Sequence, residues 1–173
     1  FYTENQFLKG GVAPTTAGTA ATPAAAAQQQ PSAIKIEQVK DAFSKSLVKF
    51  GDVNSKLVML EISDPSCPYC HVAAGLDGAL NKQMGSQFTL VADDGTYIAP
   101  VVEMKKLVDS KKASFAWIYS PGHGNGEMGT KAMYCAFEKG KFWEVHDKIM
   151  TNESYNLLNN TIKNDKAKSG DLA

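Results

Sequence analysis

The sequence lacks arginine altogether, and its 18 basic residues are all lysines. The same number of acidic residues balances them, so the formal net charge is zero. Without a net positive charge, the chain has no long-range attraction for nucleic acid or for anionic membranes. The absence of guanidinium groups also removes the planar fork that binds phosphates and carboxylates through two hydrogen bonds. We therefore predict no nucleic-acid partner.

Long apolar runs are missing as well. No stretch of the 173 residues reaches the ~18 consecutive apolar positions that a membrane-spanning helix needs. The length suits one domain and a tail. Because the chain begins with Phe1 instead of Met, we expect a signal or a membrane anchor upstream of it.

Large apolar side chains are scarce at the beginning of the chain. Between Gly10 and Ala33 the residues are mainly Ala, Thr, Pro, Gln and Gly, and Val12 is the main exception. Such a segment buries too little apolar surface to offset the entropy lost on ordering. Residues 1–33 are therefore predicted to be a flexible tether between a membrane anchor and a folded domain.

Cysteine is also rare, with three residues in the whole chain. That number is too small for a small domain held together by disulfides. Cys67 and Cys70 nevertheless form a C-x-x-C pair, which indicates chemistry. Cys135 lies on the apolar face of a predicted helix, and we expect it to be a buried free thiol.

Apolar periodicity predicts an alternation of helices and short buried strands. Helices are predicted over residues 36–50, 68–84, 101–109, 128–139 and 142–150, and strands over residues 57–62 and 114–119. A tight turn is expected at residues 93–95, and the glycine-rich segment at residues 121–129 is expected to be a flexible crossing. This order favours an α/β fold, with a core at residues 34–122 and the start of a helical insertion at residues 123–173.

The C-x-x-C pair is predicted at a strand-to-helix junction. There Cys67 would lie at the helix N-terminus, where unpaired N–H groups and the helix dipole favour a negative charge. Cys70 would lie one turn further on, within reach for a disulfide. A lowered pKa raises the thiolate fraction of Cys67, which is the reactive form in disulfide exchange.

Two other interpretations of the pair stay open. One is half of a metal site, in a metal-binding or metallochaperone module that uses Cys67, Cys70 and a histidine such as His71. Zinc usually takes four ligands, commonly from two such pairs, and this chain has one pair. The other is a plain structural disulfide.

Two segments resemble the DsbA-like branch of the thioredoxin superfamily. Residues 60–71, LEISDPSCPYCH, are similar to its active-site region, and residues 133–148, MYCAFEKGKFWEVHDK, are similar to its inserted helical domain. The resemblance covers roughly Lys56 to Met150. It implies a thioredoxin-like fold with an inserted helical domain.

The resemblance also implies residue roles. Cys67 matches the nucleophile and Cys70 the resolving thiol, while Pro68 and Tyr69 match the dipeptide that tunes the redox potential. Glu61 matches a buried acid that would carry the proton of the resolving thiol, and its alternative is a solvent-facing side chain.

One family feature is not found in the sequence. DsbA-like proteins place a cis-proline beside the disulfide on a later strand, and no such strand is predicted after Met150. Pro100 and Pro121 come too early for this position. We therefore expect the final β-β-α part of the fold to be missing.

These features together predict a protein disulfide oxidoreductase that uses no cofactor. Its expected partners are protein thiols and disulfides and a recycling redox partner, which could be membrane-bound. The expected location is extracytoplasmic, in a periplasm or at a cell surface, with a membrane tether. The substrate and the direction of exchange stay open, as does a binding domain that has kept the fold without turnover.

Overall fold

The computed structural model of the chain describes residues 33–172. The predicted tether at residues 1–33 therefore lies outside the described residues, apart from Ala33. From Ile34 onward the chain forms one unit by its internal contacts. Residues from both predicted parts, 34–122 and 123–173, contribute to one hydrophobic core.

The described part of the chain contains seven α-helices and three β-strands. In order, they are α1 (Ile36–Lys45), β1 (Val48–Phe50), β2 (Val58–Ser63), α2 (Pro68–Ala74), α3 (Gly78–Gln83), α4 (Pro100–Asp109), β3 (Ser114–Tyr119), α5 (Glu127–Glu138), α6 (Phe142–Ile149) and α7 (Asn152–Asn156). A π-helical segment continues α7, and short 3₁₀ turns lie before α4 and at the end of the chain.

The sheet has the strand order β1-β3-β2. β2 runs parallel to β3, whereas β1 runs antiparallel to it. The parallel pair requires a crossover, and helices α2, α3 and α4 lie in that connection. The predicted mixed α/β class is confirmed by this arrangement. In the register of the parallel pair, Glu61 lies opposite Trp117 and Ser63 opposite Tyr119.

Aromatic side chains from the sheet and from α6 form the centre of the core. Phe115, Trp117 and Phe142 are almost completely buried. The Phe142 ring lies 6.5 Å from Phe115 and 6.3 Å from Trp117, measured between ring centroids. The helical segment after β3 is thus packed directly on the sheet.

The helix predicted over residues 36–50 was too long. It ends at Lys45, and Leu47 is 66% exposed instead of lying on a buried face. The backbone N–H and the hydroxyl of Ser46 bind nearby carbonyl groups and turn the chain. Val48–Phe50 then pairs with β3, because strand pairing outweighs a local helical pattern.

The helix predicted over residues 68–84 is broken into two. Gly75 adopts a left-handed conformation with φ of 66° and ends α2. A side chain there would collide with Ala99, so the position also needs glycine for close packing. Asp77 then caps α3 by accepting a hydrogen bond from the Leu80 backbone N–H at 2.9 Å.

Other expectations have mixed outcomes. β3, α4, α5 and α6 lie within a residue or two of their predicted bounds. The turn at residues 93–95 forms, and Leu90 and Tyr97 on its two sides make one isolated parallel bridge. The expectation of a buried Cys135 was wrong, because this thiol is exposed on α5.

The end of the described chain is helical. Between Tyr119 and Leu172 the structure contains no strand, and it contains no cis peptide bond anywhere in residues 33–172. Within the same range, no helix combines the length and the apolar character needed to cross a membrane.

Candidate active site

The C-x-x-C pair lies where β2 passes into α2. β2 ends at Ser63, three residues form a turn, and Cys67 is the N-cap residue of α2. Pro68 occupies the first helical turn, where its missing N–H is not needed. The Cys67 carbonyl accepts backbone hydrogen bonds from Cys70 at 3.1 Å and from His71 at 3.3 Å.

This position stabilises a thiolate on Cys67. A hydrogen bond from the Cys70 thiol lowers the pKa of Cys67 to about 6, although burial opposes the change. The backbone N–H groups of Cys70 and Tyr69 lower it further, and the charge of Asp64 raises it. Both thiols are free and partly exposed. Cys67 can therefore carry the negative charge that attacks a disulfide.

Cys70 has the opposite character. Its hydrogen bond to Cys67 raises the pKa of the Cys70 thiol strongly, and burial adds to the effect. The backbone N–H of Asp64 points at its sulfur at 3.4 Å. The pair is thus asymmetric, with one thiolate and one thiol that keeps its proton. Any step in which Cys70 acts as a nucleophile or a leaving group must move that proton.

Glu61 lies on β2, on the same face of the strand as Ser63. Its Oε2 atom is buried, so this carboxylate oxygen does not face solvent. Burial raises the pKa of Glu61, and the His146 charge and the Ser63 and Trp117 side chains lower it in part. The Ser63 hydroxyl also lowers the pKa of Cys70.

Asp64 is a site residue that sequence reasoning missed. Its carboxylate is buried and accepts four hydrogen bonds. Two come from the backbone N–H and hydroxyl of Ser66, at 2.8 and 2.7 Å, and two from the backbone N–H groups of Gly122 and His123, both at 2.8 Å. Burial would raise the pKa of Asp64, but these hydrogen bonds lower it overall. The Asp-x-Ser spacing was the available signal, because it favours such a turn.

The glycine-rich segment packs against the active-site turn, so the expectation of a flexible crossing was wrong. A Cβ atom on Gly126 would collide with the Asp64 carboxylate, and one on Gly129 would lie 3.2 Å from Pro65. The Asn125 backbone N–H donates to the Ser66 hydroxyl at 3.2 Å. Glycine is needed here for close approach.

Tyr69 and His71 flank the second cysteine in different environments. Tyr69 is 51% exposed, and its ring lies 6.1 Å from that of Phe88. His71 is buried, and its Nε2 lies 2.8 Å from the Pro65 carbonyl oxygen, to which it donates. Burial lowers the pKa of His71. The ring therefore holds the active-site turn from below.

Within residues 33–172, no group of three or more His, Cys, Asp or Glu side chains is arranged to hold a metal ion. The Nε2 atom of His71, next to the pair in sequence, already binds a backbone carbonyl group.

Comparison of the chain with protein families, curated proteins and solved structures gives no match. The assignment of the candidate site therefore rests on the geometry of its residues.

The Asp64 hydrogen bonds lead to a stability prediction. We expect Asp64→Asn to lower the free energy of unfolding by about 1–3 kcal/mol, because an amide must turn its NH₂ group toward N–H donors. The pKa of Asp64 is lower in the folded state. Its contribution is therefore complete above ~pH 4, where the unfolded carboxyl group ionises, and is lost as the pH falls through the folded value.

Urea unfolding of the two proteins at pH 7 and at pH 3 measures this difference. Asp109→Asn is the matched control, since Asp109 is an exposed residue in an ion pair with Lys105 and should change stability by less than about 0.5 kcal/mol. Equal losses for the two variants would contradict the role given to Asp64.

Proposed function

We propose that the chain is a thiol–disulfide oxidoreductase that exchanges disulfides with protein substrates through Cys67 and Cys70. The observation that carries this proposal is the N-cap position of Cys67, where the Cys70 thiol and two backbone N–H groups lower the pKa of Cys67 to about 6. A thiolate at neutral pH, partly exposed and one turn from a second thiol, has what disulfide exchange needs.

Exchange proceeds through a mixed disulfide. A substrate thiolate attacks the Cys67 sulfur of the oxidised pair, and the Cys67–Cys70 bond breaks. Cys70 leaves as a thiolate and takes up a proton. A second substrate thiolate then attacks the substrate sulfur of the mixed disulfide, which forms the substrate disulfide and releases Cys67 as a thiolate. The reverse sequence reduces a substrate disulfide.

The asymmetry of the pair favours oxidation of substrates. Stabilising the Cys67 thiolate stabilises the reduced enzyme, so the enzyme's disulfide becomes a stronger oxidant. Cys67 is also the better leaving group, because its pKa is the lower of the two. Both effects favour transfer of the disulfide from the enzyme to its substrate.

The proposal includes membership of the DsbA-like branch of the thioredoxin superfamily. Three features support it: the parallel β2–β3 pair, the C-x-x-C helix that starts the crossover between them, and the helical block packed on the sheet after β3. An extracytoplasmic location, a membrane tether and a recycling redox partner belong to the same proposal. They depend on the resemblance and on the composition of residues 1–33.

The test of this function is turnover. Purified protein should accelerate both the reduction of insulin by dithiothreitol and the oxidation of a dithiol peptide by glutathione disulfide. The oxidation of the peptide should be accelerated more than the reduction of insulin, because the asymmetry of the pair favours oxidation of substrates. Absence of acceleration in both assays would rule out the enzyme and leave a binding domain with the same fold.

A metal-binding module is the rival of a different class. Elemental analysis of protein purified without added metal separates it from the enzyme. Stoichiometric zinc or copper that is lost in Cys67→Ser would favour the rival.

A further inference from the structure

A cluster of buried polar atoms is contributed by β2, β3 and α6. Four atoms in it are shielded from solvent and have no hydrogen-bond partner among the described residues: Glu61 Oε2, Ser63 Oγ, Trp117 Nε1 and His146 Nε2. A buried polar group without a partner costs about 1–3 kcal/mol. Several such groups in one place call for an explanation beyond packing.

The fold itself brings these atoms together. Glu61 and Ser63 are two residues apart on β2 and so share one face, and Trp117 lies opposite Glu61 on β3. The Trp117 ring packs on Phe142, and the Phe142 ring lies 5.6 Å from that of His146. The packing of α6 on the sheet therefore places His146 on the sheet face where Glu61 lies.

His146 has a defined orientation. The residue is 1% exposed, and its Nδ1 atom lies 2.9 Å from Oδ1 of Asp147. A carboxylate only accepts hydrogen bonds, so Nδ1 donates to Asp147, and in the neutral ring the buried Nε2 is then the acceptor. The Asp147 side chain is 47% exposed. The pair thus connects a buried acceptor with solvent.

We propose that His146 and Asp147 form the outer end of a proton route that runs from Cys70 past Ser63 to Glu61 and then to the surface. The proposal rests on the proposed function, since protons move only if Cys70 takes part in exchange. Glu61 is the carrier next to Ser63 on this route, whereas His146 and Asp147 act through Glu61 and are positioning residues.

The route accounts for the proton in each half of the cycle. During reoxidation, Cys67 forms a mixed disulfide with the recycling partner, and Cys70 attacks Cys67 as a thiolate. The partner thiolate leaves. Glu61 takes the Cys70 proton and passes one to Nε2 of His146, and the Nδ1 proton moves to Asp147 and then to solvent.

The other half of the cycle returns the proton. When a substrate opens the disulfide, His146 gives its Nε2 proton to Glu61, and Glu61 protonates the departing Cys70 thiolate. Asp147 restores the proton on Nδ1 from solvent.

A simple packing role makes different predictions for substitutions. His146→Asn keeps an N–H donor near the δ position that can bind Asp147, but it has no nitrogen at the ε position and cannot relay a proton. We expect it to slow the release of glutathione from the Cys67–glutathione mixed disulfide by about a hundredfold. The ionisation midpoint of Cys67 should stay near that of the wild type. A wild-type release rate in His146→Asn would overturn the proposal.

A double variant tests whether the two residues act in series. Glu61→Gln removes the intermediate carrier, so Glu61→Gln/His146→Asn should be no slower than Glu61→Gln alone. Independent, multiplying effects of the two substitutions would contradict a common route.

The surface residue gives a test that does not depend on a buried substitution. Asp147→Asn should slow the same step by about tenfold, whereas Glu144→Gln, an exposed acid on the same helix, should leave it unchanged. Equal rates in these two variants would overturn the proposal. If the wild type shows no exchange with glutathione at all, the proposed function fails; if exchange occurs without these slowings, only the proton route fails.

Discussion

Cys67→Ser is expected to abolish disulfide exchange, and Cys70→Ser is expected to stop it at a covalent intermediate. A serine hydroxyl at position 67 is not ionised at neutral pH and cannot form the mixed disulfide. With Cys67 intact and Cys70 replaced, the mixed disulfide still forms, but the thiol that would release the bound partner is gone. We expect turnover in Cys67→Ser to fall by a factor of about a thousand or more, to the uncatalysed level.

Insulin reduction and intact-protein mass measure the two outcomes. Cys70→Ser incubated with glutathione disulfide should gain the mass of one glutathione, and the adduct should disappear on treatment with dithiothreitol. Cys135→Ser is the matched control, because it removes an exposed thiol on α5 that lies outside the pair. It should keep wild-type turnover.

The opposite pattern would point to another chemistry. If Cys67→Ser turned over as fast as the wild type, the reactive thiol would not be at the helix N-terminus. If Cys135→Ser lost activity instead, the exposed cysteine would be the reactive group.

Local sequence signals were sufficient where one pattern acted alone. Pro68 after Cys67 marks a helix start in the sequence, and α2 begins there. The apolar run of β3 and the periodicity of α4 and α6 were also sufficient, because each segment buries the face that its pattern describes.

Local signals failed where distant partners decided the structure. Leu47 and Phe50 continue the helical spacing of α1, yet Val48–Phe50 pairs with β3, which lies more than 60 residues further on. Gly75 interrupts an apolar helical pattern because Ala99 packs against it. Neither partner can be inferred from the spacing of the segment itself.

The candidate site divides in the same way. The C-x-x-C pair is a local motif, and Glu61 follows from the family resemblance, so both can be predicted from the sequence. The part played by Asp64 depends on a loop almost 60 residues away, to which it binds through the N–H groups of Gly122 and His123. His146 comes near Glu61 only because α6 packs on the sheet, and the local sequence around His146 does not predict that packing.

The titration of Cys67 is the second large effect. With a pKa of about 6, about 90% of this thiol is ionised at pH 7, compared with ~3% of an ordinary cysteine whose pKa is ~8.5. The thiolate absorbs in the ultraviolet, so the absorbance of reduced minus oxidised protein should rise with a midpoint near pH 6. The Cys67→Ser variant should lack this step.

The cause of the shift can be tested separately from its size. The hydrogen bond from Cys70 is the largest contribution, so Cys70→Ala should move the midpoint upward, whereas Cys70→Ser, which keeps a donor, should move it less.

Folding lowers the pKa of Cys67, so the thiolate stabilises the reduced folded state fully above the unfolded pKa of ~8.5. This contribution is lost as the pH falls through about 6. Reduced protein should therefore lose stability relative to oxidised protein as the pH is lowered from ~8.5 to about 6. A midpoint above about pH 8 in the wild type would leave the pair without its thiolate at neutral pH, and the proposed exchange would lose its physical basis.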